Sequence, residues 1–139
     1  MAQLPEVSGK IDEAQVRVFE KTEAQLEGFY DEIAGIAKKR PDDPINKFKL
    51  TFINQMLTNA NQLLGDVYGP FPDFEAFDVD ELPTASDVAM MLSQYLRAMD
   101  KCRKDHTFCY SGIYYWLLPG QTTHTPGEVS AQRPKDFES

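Results

Sequence analysis

The segment over residues 44–68, PINKFKLTFINQMLTNANQLLGDVY, carries apolar side chains at steps of three and four residues. This period places one wide apolar stripe on one face of an α-helix. Pro44 suits a first helical turn, where its missing N–H is no loss, and Gly69-Pro70 ends the pattern. The sequence therefore predicts a helix with an inner stripe of Phe48, Phe52, Ile53, Met56, Leu57, Ala60, Leu63, Leu64 and Val67.

Two other segments show the same helical period. Residues 11–40 have an apolar stripe opposite an acidic face of Glu20, Glu23, Glu27 and Asp31, and residues 86–107 begin at a capping serine. Each stripe needs a partner, which favours a small antiparallel helical bundle. We therefore predict an all-α protein with three long helices and a short fourth element at 113–118, for which periodicity leaves helix and strand open.

The remaining segments lack this period. Residues 1–10 are predicted to be a flexible lead-in, residues 11–118 a single helical-bundle domain, and residues 119–139 a mostly disordered tail. Residues 69–85 contain three prolines and are expected to form a connecting loop that wraps the bundle. Ser111-Gly112 is expected to break the third helix.

Composition narrows the range of partners. The net charge is −8, with 22 acidic against 14 basic residues, which disfavours nucleic acid and suits a basic protein. No apolar run approaches the roughly 20 residues that a membrane-spanning helix needs, and the N-terminus lacks a signal-peptide pattern. Two cysteines in such a chain are expected to be reduced thiols, so we predict a cytoplasmic protein that uses neither membrane nor nucleic acid.

Three groups of residues are candidates for chemistry. Cys102, His106 and Cys109 would share one face of a continuous helix and could bind zinc or copper, or the cysteines could be small buried hydrophobes. The acidic face of the first helix could hold a divalent cation or could be solvated. Arg103, Asp105 and His106 could act as an acid–base cluster or form a polar helix end. We predict no cofactor.

Aromatic side chains are the most unusual feature of the composition, and they are candidates for an interface or for the core. The predicted partner-binding residues are Phe71, Phe74, Phe77, Tyr110, Tyr114, Tyr115 and Trp116. The sequence is thus interpreted as an acidic interaction module of the inhibitor, immunity or adaptor type, without catalytic activity, whose partner is another protein. The alternatives are a metal-dependent nucleotide or phosphoester hydrolase and a structural homo-oligomer subunit.

Overall fold

A computed structural model describes residues 11–136 of the chain, and 56% of these residues are helical. The helices are α1 (Glu13–Lys39), α2 (Lys47–Tyr68) and α3 (Ala85–Asp105), followed by two strands, β1 (Thr107–Tyr110) and β2 (Ile113–Trp116). The protein is mostly helical, as predicted, but it is not all-α. The fourth element is part of a small two-stranded sheet.

Each helix begins at a polar side chain that accepts a hydrogen bond from a backbone N–H of the first turn. The Asp12 carboxylate accepts a hydrogen bond from the amide of Gln15 at 2.8 Å, and the Gln15 side-chain oxygen accepts one from the amide of Asp12. Asn46 and Thr84 cap α2 and α3 in the same way. These caps satisfy N–H groups that have no partner inside the helix, and they fix where each helix begins. The observed starts lie within three residues of the predicted ones.

The helices do not all run antiparallel to their neighbours. Between α2 and α3, the Tyr68 hydroxyl donates to Asp105 at 2.9 Å and the Tyr95 hydroxyl donates to Asn61 at 2.5 Å. Residue numbers therefore rise together along these two helices, which are parallel. The prediction of an antiparallel bundle is wrong for this pair.

Helix α1 runs against the other two helices. Glu23 pairs with Arg103, whereas Tyr30 lines a groove together with Leu96, so numbers rise along α1 as they fall along α3. The end of α1 also meets the start of α2. The two antiparallel contacts are formed by α1, and the parallel one requires a long connection.

That connection is the segment 69–84, which runs back along α2. Asn61 donates to the carbonyl of Glu75 at 3.2 Å, and Asn54 exchanges two 2.9 Å hydrogen bonds with the backbone of Phe77. Pro44 and Thr84 then form a β-bridge beside the start of α2. A helix of 22 residues spans about 33 Å, and 16 extended residues reach about 53 Å, so the return requires most of this loop.

The hairpin replaces the predicted end of the third helix. β1 and β2 pair antiparallel, with Phe108 opposite Tyr115. Ser111 and Gly112 both have positive φ, 51° and 81°, which is the geometry of a two-residue turn whose twist matches the strands. The break expected at this dipeptide is therefore a hairpin turn, and 113–116 is strand.

Residues 119–136 return to the hairpin and to α3. The Trp116 amide donates to the carbonyl of Val129 at 2.9 Å, and the Ala131 amide donates to Tyr114 at 2.8 Å. Asp100, which is 3% exposed, accepts hydrogen bonds from the backbone of residues 135 and 136. This placement differs from the predicted disordered tail. The predicted lead-in at 1–10 and residues 137–139 lie outside the described residues.

Buried side chains from the three helices and the hairpin form one hydrophobic cluster. The residues that connect the elements within it include Phe19, Leu26, Leu57, Leu92 and Trp116. Between residues 11 and 136, none of the helices combines the length and apolar composition that a membrane crossing requires.

Candidate functional site: an aromatic patch on helix α2

Two aromatic side chains project into solvent from the N-terminal half of α2. Phe48 is 73% exposed and Phe52 is 44% exposed, and their rings meet edge to face with centroids 5.0 Å apart. Both were predicted to lie in the inner stripe. That prediction is wrong because Leu50, which is fully buried, lies two residues from each, and two residues turn an α-helix by about 200°.

The two phenylalanines are flanked by two ion pairs, each of zero net charge, in a molecule of net charge −8. From residue 47 to residue 65, α2 contains no acidic residue. On one side, the Lys47 amine lies 3.2 Å from the Asp80 carboxylate; on the other, the Lys49 amine lies 3.4 Å from Glu32. We call the exposed surface formed by Phe48, Thr51, Phe52 and Gln55 the α2 patch.

The threonine of the α2 patch has its hydroxyl donor already in use. Thr51 Oγ1 donates to the carbonyl of Lys47 at 2.9 Å, and Thr58 Oγ1, further along the helix, donates to Asn54 at 3.1 Å. Covering these residues with a partner therefore leaves no threonine donor unsatisfied. Burial of an unsatisfied donor would cost about 1–3 kcal/mol.

The loop aromatics predicted to bind a partner are turned toward the protein. Phe71, Phe74 and Phe77 are half-buried and pack against the hydrophobic cluster. Phe74 contacts Phe77 at 5.1 Å and Tyr95 at 6.4 Å between ring centroids. Their spacing of three residues places them along the return path over α2. The geometry is that of a loop held in place by its aromatics.

The hairpin aromatics occupy several environments. Trp116 is fully buried and meets Phe19 edge to face at 5.2 Å. Tyr115 packs on Phe108, and a Cβ at Gly127 would overlap its side chain. Tyr110 and Tyr114 are half-buried on the same hairpin. Trp116 therefore belongs to the core, and the predicted set is divided between the loop and the hairpin.

A buried ion pair joins α1 to the last turn of α3. The Arg103 guanidinium donates to both carboxylate oxygens of Glu23, once at 2.6 Å, and the two side chains are 1% and 6% exposed. The guanidinium carbon also lies 5.2 Å from the Phe19 ring centroid and 5.8 Å from that of Trp116. Glu23 is therefore not on a solvated face, which was one of its two interpretations. Arg103 does lie in the last turn of α3, but its side chain is buried.

The arginine, aspartate and histidine of the suggested acid–base cluster have separate partners. Arg103 binds Glu23, Asp105 accepts from Tyr68, and the His106 imidazole Nδ1 lies 2.7 Å from the carbonyl oxygen of Cys102. Burial, and then the bond to Asp105, raise the pKa of Tyr68. The Arg103 contact connects α3 to α1, the Asp105 contact connects α3 to α2, and the His106 contact lies within the C-terminal end of α3.

The proposed metal ligands are only partly brought together. Cys102 Sγ lies 3.8 Å from His106 Nδ1 in the interior, whereas Cys109 is exposed on β1. Burial, followed by the nearby Asp105 carboxylate, raises the pKa of the Cys102 thiol, which opposes the thiolate that a metal requires. Over residues 11–136, no three or more His, Cys, Asp or Glu residues are grouped so that they could hold a metal ion.

Two further acids of the α1 face, Glu27 and Asp31, lie at a shallow groove, whereas Glu20 is exposed elsewhere on α1. The groove has a volume of about 310 Å³ and is lined by Glu27, Tyr30, Asp31, Leu96 and Lys135, among others. Glu27 is paired with the Lys135 amine at 3.6 Å. The groove therefore combines both signs of charge with two apolar side chains.

The α2 patch is thus the exposed aromatic cluster in the described part of the chain, and sequence reasoning placed it in the core. The patch lies in the run 47–65, which has no acid in a chain of net charge −8, a property that residues 106–127 share. Comparison of the chain with protein-family models, with curated proteins and with solved structures finds no match.

Proposed function

We propose that this protein is an interaction module that binds another protein through the α2 patch and performs no catalysis of its own. The observation that carries the proposal is the Phe48–Phe52 pair, in which two aromatic rings packed edge to face are exposed to solvent. Aromatic side chains that are held on a rigid helix are typical anchors of protein interfaces.

The energetics favour covering this pair. A fully buried phenylalanine contributes about 1.5–3 kcal/mol relative to an exposed one, and Phe48 retains 73% of its exposure. The patch is carried by the capped first half of α2, so little backbone freedom is lost on binding. The internally bonded Thr51 hydroxyl removes one cost of desolvation.

Charge distribution supports a division of the surface into two regions. The acidic residues of α1 and the net charge of −8 favour a basic protein elsewhere on the surface, and that expectation stays a prediction. The α2 patch is uncharged and bordered by the two lysine–carboxylate pairs. An apolar contact with a polar rim is the usual anatomy of a protein interface.

The test is site-specific photo-crosslinking. A photoreactive phenylalanine analogue is placed at residue 48 and, as a matched control, at Ile113, which is 51% exposed on the hairpin. We expect covalent protein adducts from position 48, identified by mass spectrometry after irradiation in an extract of the source cells. Adducts should be few from position 113. An equal pattern at the two positions, or no protein adduct at position 48, would overturn the proposal.

A further inference from the structure

We infer that the protein bound at the α2 patch is a second copy of this chain, which pairs with the first about a twofold axis through the Phe48–Phe52 pair. The inference rests on the proposed function, because it names the partner of the same surface. It is carried by the charge pattern around the patch, by the chemistry of its residues and by its size.

Charge first restricts where two copies can meet. Each copy carries −8, so contact through the acidic α1 face would place like charges together. The α2 patch avoids this repulsion because residues 47–65 contribute no acid. Two copies can therefore meet at this patch without placing carboxylates of α2 against each other.

The borders of the patch are also self-complementary. One border carries Lys47 and Asp80, and the other carries Lys49 and Glu32. In a twofold contact between antiparallel helices, each border meets its own equivalent in reversed order. A neutral ion pair of one copy therefore faces the equivalent neutral ion pair of the other at each border, so neither border sets like net charges together. A strongly basic or strongly acidic partner would gain nothing from borders of zero net charge.

The chemistry of the patch residues suits the same arrangement. A twofold axis near Phe48 and Phe52 gathers four rings, each able to continue the edge-to-face packing seen within one copy. Gln55, exposed on the same side, has an amide that both donates and accepts, so it can pair with its equivalent. Antiparallel α2 helices also oppose their dipoles favourably.

The size of the α2 patch sets the expected affinity of the association between two copies. The exposed stripe of α2 from Phe48 to Gln62 is about 21 Å long, and it is one helix wide. Such a contact falls below the roughly 1,200 Å² of total area at which standard interfaces begin. We therefore expect reversible association with a dissociation constant on the order of 10–100 μM, typical of a weak contact.

The experiment is sedimentation of the full chain over a concentration series from about 1 μM to 1 mM, a range that brackets this affinity. The expected result is a monomer–dimer equilibrium. Phe48→Ser should weaken the dimer at least tenfold, whereas Ile113→Ser, the matched exposed control, should leave it unchanged. Circular dichroism confirms that both variants are folded. Lys47→Glu should also weaken the dimer, and the pairing of Lys47→Glu with Asp80→Lys should restore it.

A strict monomer across the series would overturn the inference, and so would equal weakening by Phe48→Ser and Ile113→Ser. These failures are distinguishable from failure of the proposed function. If position 48 crosslinks to a different protein while the chain stays monomeric, the inference fails and the interaction module stands. If position 48 gives no adduct with any protein, including a second copy, both fail.

Discussion

Two aromatic pairs in this molecule have almost the same geometry and opposite surroundings. Phe48 and Phe52 meet at 5.0 Å and 69°, and Phe19 and Trp116 meet at 5.2 Å and 70°. The first pair is 73% and 44% exposed, whereas both members of the second are fully buried. The difference lies in what covers the rings. Phe19 and Trp116 come from α1 and the hairpin and pack against the buried Arg103, whereas Phe48 and Phe52 both come from α2 and no other element within residues 11–136 covers them.

We call Phe19 and Trp116 the inner pair, and Phe48 and Phe52 the outer pair. Substitutions around the inner pair should lower the stability of the fold most, because its rings pack against the buried Arg103–Glu23 ion pair. Arg103→Met leaves the Glu23 carboxylate buried without its partner, and removal of one member of a buried pair costs about 3–5 kcal/mol. We expect the free energy of unfolding, measured by urea denaturation, to fall by that amount. This is a large fraction of the roughly 5–15 kcal/mol of a typical domain.

Arg17 provides the control, because its ion pair with Glu13 has side chains that are 72% and 58% exposed. Arg17→Met should change the free energy of unfolding by less than about 1 kcal/mol. Replacement of both Glu23 and Arg103 by methionine should recover most of the loss, since it also removes the Glu23 carboxylate that Arg103→Met leaves buried without its partner. Equal losses in Arg17→Met and Arg103→Met would contradict the contrast between the two regions.

The C-terminal segment 119–136, which binds the hairpin beside Trp116, is held to α3 by Asp100. Asp100 accepts hydrogen bonds from the amides of Lys135 at 2.7 Å and Asp136 at 2.9 Å. In the same tail, the carbonyl of Val129 accepts a hydrogen bond from the Trp116 amide. Asp100→Ala removes hydrogen bonds to a charged group, so the free energy of unfolding should fall by about 1.5–3 kcal/mol. Limited trypsin digestion should then cut after Lys135 faster than in the wild type.

The matched control for this substitution is Glu128→Ala, an exposed acid in the same tail. It should leave both the stability and the digestion rate unchanged. If the tail of the wild type is cut as fast as that of Asp100→Ala, the tail does not cover the inner region as the structure describes.

The helices could be predicted from the sequence because their signals are local. Steps of three and four apolar residues, together with the proline at 44 and the glycine-proline at 69–70, place α1, α2 and α3 within three residues of their observed bounds. The hairpin was also within reach, since Ser111-Gly112 separates two runs of β-branched and aromatic residues, which is a known hairpin pattern. Continuation of the helical period of α3 into 107 obscured it.

The candidate site could not be predicted in the same way, because it depends on distant residues. Glu23 and Arg103 are 80 positions apart. Glu23 follows the buried Phe19 by four residues and precedes the buried Leu26 by three, so its burial fits the helical period, but nothing local identifies the arginine that pairs with it. Phe48 and Phe52 share helical spacing with each other, but only the packing of α1 and of the returning loop decides which side of α2 is covered. The aromatic content was recognised from the sequence, and its exposure was assigned to the wrong residues.

The two cysteines allow the interior and the surface to be compared by measuring the free energy of unfolding as a function of pH. Burial raises the pKa of Cys102 above its ordinary value of 9.0, and Cys109 is exposed. Below pH 9 the thiol is protonated in the folded and unfolded chains, so its contribution is constant. Above pH 9 only the unfolded thiol ionises, so the free energy of unfolding should fall by up to about 1.4 kcal/mol per pH unit from this group.

Tyrosines also ionise in this range, so the readout is a difference between variants. Cys102→Ala should have a flatter dependence of stability on pH between 9 and 11 than the wild type, whereas Cys109→Ala should follow the wild type. Parallel curves for all three proteins would show that Cys102 is not in the interior in the way described.

The smallest effect on stability is expected at the outer pair, and it is the effect that separates a binding surface from a core. Phe48→Ser should change the free energy of unfolding by no more than about 0.5 kcal/mol, because a side chain that is 73% exposed loses little by truncation. Phe19→Ala, within the inner pair, should cost about 3–5 kcal/mol. Both are measured by urea denaturation at about 1 μM protein, where a contact of 10–100 μM affinity is dissociated. A cost at Phe48 close to that at Phe19 would mean that the outer pair is covered within one copy. The same small cost, combined with loss of association at high concentration, is what a surface that acts only between molecules requires.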